Sequence, residues 1–92
     1  MKRISKAAFK RMFTPGTVWD LTHCLIGPVP AEKQRRTVKA VRSFGAEVTK
    51  PDGSVSRLAL TKDDTAWVGD GVLEIRASGE LAARYVLVAN AI

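Results

Sequence analysis

Ninety-two residues, 46% of them hydrophobic and 26% charged, suffice for one modest core and leave no room for a separate catalytic domain. Fifteen Lys and Arg against nine Asp and Glu give a net charge of +6. The excess sits in the first half: residues 1–46 carry ten basic and two acidic side chains, net +8, and residues 47–92 five and seven, net −2. That asymmetry points to an anionic partner, either nucleic acid or an acidic protein surface. A lone Cys24 rules out an internal disulfide and suits a reducing compartment. Ser5, Lys6, Lys10 and Arg11 interrupt the apolar residues between Ile4 and Phe13, so no signal-peptide core is present, and no stretch has transmembrane length. A cytoplasmic protein without a membrane partner is expected.

Residues 4–13 place Ile4, Ala8 and Met12 on one helical row and Phe9 with Phe13 on the next, opposite Arg3, Lys6 and Lys10. This predicts a short amphipathic helix, ended by Pro15 and Gly16, that docks its Phe and Met face on its own domain. Thr17 to Ile26, rich in β-branched and aromatic residues and stopped by Gly27-Pro28, predicts the first strand. In the following loop, residues 27–34, two prolines are expected to exclude regular pairing and lead through Lys33 into Arg35 and Arg36.

Arg35 to Val48 alternates over fourteen residues and reads as one long, bent central strand, with Gly45 as the bend. Val38, Ala40, Phe44, Ala46 and Val48 share the core parity, and so do Arg36 and Arg42, which the same alternation directs towards the core. Lys50-Pro51-Asp52-Gly53 predicts a tight hairpin into Ser54–Leu60. Two further turns, at Gly69-Asp70-Gly71 and Ser78-Gly79-Glu80, separate strands at 65–68, 72–77 and 81–89. A single domain over 1–92 follows, with a helix at 4–13 and a β-barrel at 17–89. It is mainly β, a small antiparallel SH3-like barrel of five or six strands, because closure removes exposed edges.

No catalytic or metal constellation emerges. His23 and Cys24 are strand neighbours that point to opposite faces, with no second His or Cys to complete a metal site. Asp63, Asp64 and Asp70 lack the spacing of a calcium loop. Neither a cofactor nor an enzymatic activity is expected. The candidate binding residues are the basic set Lys6, Lys10, Lys33, Arg35, Arg36, Lys39 and Arg42, because phosphate oxygens require cations spaced along a surface. Aromatic side chains for base stacking are few and suited to the core, which favours a backbone binder over a sequence reader.

Taken together, FTPGTVWDLT, RRTVKAVRSFGAEVTKPDGS and GVLEIRASGELAARYVLV, within residues 13–88, resemble in strand rhythm and turn placement the small accessory proteins of bacteriophages that adopt SH3-like barrels. The resemblance implies a non-enzymatic protein of the infected host's cytoplasm, acting on nucleic acid or on a host complex that processes it. The alternative is a protein-interaction inhibitor or homo-oligomeric module, homodimers included. It would use an exposed strand edge or the Phe9, Met12 and Phe13 face and make no nucleic-acid contact.

Overall fold

The computed structural model describes residues 1–90. In chain order it contains β1 (Lys2–Ile4), α1 (Lys6–Met12), β2 (Val18–Cys24), β3 (Gly27–Pro28), a 3-10 turn at Ala31–Lys33, β4 (Arg35–Arg42), β5 (Gly45–Thr49), β6 (Val55–Ala59), β7 (Asp64–Gly69), β8 (Val72–Ala77) and β9 (Glu80–Ala89). The strands form one antiparallel sheet in the order β1-β7-β8-β9-β2-β4-β5-β6, with β3 added to β2. The mainly β, antiparallel character agrees with the sequence. Instead of a closed barrel of five or six strands, however, the described residues form a sheet of nine strands, eight of them along one hydrogen-bonded path with two open ends.

Local chemistry accounts for the hairpins. Asp70 and Gly71 have φ of 46° and 76°, and Ser78 and Gly79 have 52° and 82°, the paired positive values of type I′ turns that match strand twist. At the third predicted turn, the Lys50 carbonyl accepts from Gly53 N at 2.9 Å. Asp52 Oδ1 accepts from both the hydroxyl and the backbone N–H of Ser54. Those two bonds, the hydroxyl's above all, hold the Asp52 carboxyl below its ordinary range.

The stretch Arg35 to Val48 departs from the expectation. It is a hairpin, β4 and β5 joined through Ser43 and Phe44, rather than one bent strand. A register shift between Val38 and Ala40 inverts the alternation within β4. Val38 remains buried, but beyond Lys39 it is Val41 that pairs with buried Ala46, while Ala40 pairs with Glu47. Phe44 is not a core residue: it lies half-buried in the turn, with the Arg57 guanidinium 5.1 Å from its ring centre. Ala46 and Val48 are buried as expected.

The predicted helix is shorter than 4–13, because residues 2–4 pair with β7 as an edge strand. Ser5 caps it, its Oγ accepting from Ala8 N at 3.0 Å. Phe9 and Phe13 are buried and Met12 points to solvent, so the docked face is the Phe pair without Met. Phe13 is the centre of the core, with ring centroids 5.2 Å from Phe9, 5.5 Å from Trp19 and 5.0 Å from Tyr85. Trp19 Nε1 donates to Thr17 Oγ1 at 2.9 Å, and Thr17 Oγ1 donates to the Thr14 carbonyl, so this buried donor is satisfied. The strand expected over 17–26 is β2, not the first of the chain; it ends at Cys24, with Leu25 and Ile26 as its turn, and Pro28 pairs with His23 in spite of the two prolines.

Candidate interaction surface

Register fixes which side chains share a face of the sheet. Ile4, Ala66, Ile75, Ala83 and Cys24 are successive cross-strand partners on the core side, as are Val68, Leu73, Tyr85 and Leu21. The row between them belongs to the opposite face and reads Arg3, Trp67, Glu74, Arg84, His23 across β1, β7, β8, β9 and β2. Four interstrand steps make this row about 19 Å long.

Its middle is a built ionic cluster. Glu74 is only 6% exposed although it faces outward, because its neighbours close over it. Arg76 Nη2 donates to Glu74 Oε1 at 2.9 Å, and the Arg76 guanidinium carbon lies 4.6 Å from the Trp67 ring centre. Trp67 Nε1 in turn donates to Thr65 Oγ1 at 2.9 Å. On the other side, Arg84 Nε stands 3.6 Å from Glu74 Oε2, inside Coulombic range but too far for a hydrogen bond. One carboxylate thus orients two guanidinium groups that remain partly open to solvent. The neighbouring row adds Arg35, whose Nε donates to Asp20 Oδ1 at 2.9 Å. This face carries Arg3, Arg35, Arg76 and Arg84 against Glu74 and Asp20, an arrangement that attracts an extended anion.

The basic set expected from sequence is dispersed. Lys33 and Arg36 meet, joined by Lys50, around an open hollow of about 480 Å³ that Glu32, Pro51 and Asp52 complete. Arg36 faces Trp19 across the ladder at the end of the core, and its Nη1 donates to the Lys33 and Arg35 carbonyls, which turns the charge out of the core. Arg42 is exposed, its Nε donating to Glu47 Oε1 at 2.9 Å, so neither arginine enters the core. Lys10 Nζ donates to the Ser43 carbonyl at 3.0 Å and ties the helix to the β4–β5 turn. Lys6 lines a separate groove with Arg3, Lys62 and Asp64, and Lys39 is exposed at the register shift.

Arg3, Trp67, Arg76, Arg84 and Lys50 were absent from the sequence-based set. The signal that could have found part of them is the alternation of Glu74 and Arg76 against Leu73 and Ile75; the strand order that unites them is not local. His23 is half-buried with Nδ1 3.0 Å from Thr22 Oγ1, and Cys24 is half-buried with Sγ 3.6 Å from the Gly27 carbonyl. Asp64 Oδ2 accepts from Thr61 N, a turn role. Among the described residues no three His, Cys, Asp or Glu side chains gather as metal ligands. Burial pushes the Tyr85 hydroxyl up to about 12, against a smaller opposing effect of the Arg36 charge. No helix among the described residues is long and apolar enough to cross a membrane. No family model matches this chain, and no curated protein or solved structure matches it either.

Proposed function

We propose that this protein acts by binding rather than catalysis, and that its outward sheet face contacts nucleic acid or a complex that processes it. The row Arg3, Trp67, Glu74, Arg84 and His23, with Arg35 and Arg76 beside it, carries this reading. Cations distributed along this face suit successive phosphates, and Glu74 holds two of them in place beforehand. The SH3-like form, the kinship with bacteriophage accessory proteins and a cytoplasmic site of action belong to the same proposal and rest on strand rhythm, turn placement and charge asymmetry.

Salt titration of binding to labelled duplex DNA, single-stranded DNA and RNA tests it. Each neutralised phosphate on duplex DNA should steepen the logarithmic salt dependence by about 0.9. Replacing Arg3 and Arg35 together with Ala should flatten the slope by nearly twice that, whereas replacing Lys33 and Lys50 should leave it unchanged. A protein that binds none of the three at low salt does not contact nucleic acid directly.

One observation favours the second reading, a protein-interaction module. At the β2–β3 turn, Leu25 is 64% and Ile26 96% exposed, an aliphatic tip that the described residues leave uncovered. Of the Phe9, Met12 and Phe13 face invoked for that role, both Phe side chains are spent on the core and only Met12 is exposed. A partner retained from nuclease-treated bacterial lysate by the native chain, and lost with Ile26→Ser, would support this reading.

A further inference from the structure

The sheet stops at β6, and its last edge is chemically unfinished. The Ser54 carbonyl accepts from Lys50 N at 2.8 Å and Leu60 N donates to the Phe44 carbonyl at 2.7 Å, so the even-numbered residues turn their backbone groups towards β5. In an antiparallel strand the N–H and C=O of one residue point the same way, and successive residues alternate. Val55, Arg57 and Ala59 therefore turn three donors and three acceptors away from β5, where the strand order ends. All three are exposed. Natural sheets cover or blunt such edges, since they template the pairing of another strand.

The charge at this edge selects the kind of strand. Arg57 sits at its centre, with its guanidinium held over the Phe44 ring. The acid directly across the ladder, Glu47, is already bound by Arg42, and Arg57 has no acidic partner among the described residues. A second copy paired about the middle of β6 would set Arg57 against its own counterpart, and like charges directly opposite one another destabilise a pair.

We propose that the free edge of β6 is a docking strand for an extended segment of another protein that carries Asp or Glu opposite Arg57. The backbone of Val55, Arg57 and Ala59 supplies the ladder, and Arg57, held on Phe44, supplies the preference for acid. This rests on the protein-interaction reading, gives it a surface and a partner chemistry, and is independent of nucleic-acid binding.

Selection from a library of short random peptides against the whole protein, followed by amide NMR of the complexes, tests it. The expected peptides alternate β-branched residues with a central acid, and they shift the Val55, Arg57 and Ala59 amides and slow their exchange. Arg57→Glu should weaken them at least tenfold and strengthen the same peptides with Lys in place of the acid. Arg57→Gln, which adds no like charge beside Glu47, should abolish the discrimination between the two. Peptides that bind the Leu25–Ile26 tip instead would overturn the edge assignment while leaving the protein-interaction reading intact. Selection of no peptide at all would sink both. A dimer joined through β6 in sedimentation and cross-linking, or acidic peptides indifferent to Arg57→Gln, would also overturn it.

Discussion

Gly45 and Leu58 approach so closely that a Cβ on Gly45 would run into the Leu58 carbonyl oxygen. The backbone of Gly45 also has φ of 149°, which residues with a side chain rarely adopt. Both facts bind β6 to the start of β5. Gly45→Ala should therefore cost roughly 3 kcal/mol, combining backbone strain with a clash against main chain that cannot rotate away. Urea unfolding measures the loss; a change below 1 kcal/mol would mean that the strands separate without penalty.

Phe13 is fully buried among Phe9, Trp19 and Tyr85, whereas Phe44 is half-buried beneath Arg57. Phe13→Ala should destabilise by about 3–5 kcal/mol, the cost of a large core cavity. For Phe44→Ala, which opens no enclosed cavity, about 1–2 kcal/mol is expected. The comparison of the two unfolding midpoints is the check, and equal losses would restore Phe44 to the core.

Glu74→Gln removes the anion that orients Arg76 and Arg84. Breaking a wholly buried pair costs about 3–5 kcal/mol, but these arginines can turn to solvent, so about 1–3 kcal/mol is expected. Trp67 fluorescence should change as Arg76 leaves its ring. In an Arg76→Gln background the same substitution should cost less, since the pair is already broken. Strict additivity in that cycle would show that Glu74 and Arg76 do not interact.

Tyr85 is buried, and its hydroxyl is raised from 10.0 to about 12. Its folded-state value is above the unfolded one, so the folded protein holds this proton more tightly. The contribution to stability is complete below pH 10.0 and is lost as pH rises towards about 12. The loss amounts to about 2–3 kcal/mol over that window. Urea unfolding across the range should reveal the decline, and Tyr85→Phe should flatten it. An identical slope in the variant would assign the effect to other groups.

Much of the frame was legible because it is written in local backbone preferences. The pairs Asp70-Gly71 and Ser78-Gly79 tolerate positive φ, and Pro51-Asp52-Gly53 closes a hairpin from its own atoms. The alternation of Leu73 and Ile75, and the spacing of Phe9 and Phe13, place buried residues correctly without knowledge of the partner strand. Even there the outward Glu74 was not recognisable as buried, because Trp67 and Arg84 cover it from the neighbouring strands β7 and β9, together with Arg76 of its own strand.

The sequence alone determined a basic first half, a short Phe-bearing helix and a run of antiparallel hairpins, since composition and turn geometry depend on neighbours along the chain. Only the tertiary structure decided that β4 slips register after Val38, which moved Ala40 off the core face and left Phe44 in a turn. It also dispersed the expected basic set, assembled the row from Arg3 to His23 and left the outer edge of β6 unpaired. The physical reason is that a shift of one residue in pairing exchanges the two faces of a strand, and strand order sets which charges meet. Both depend on contacts between residues far apart in the chain.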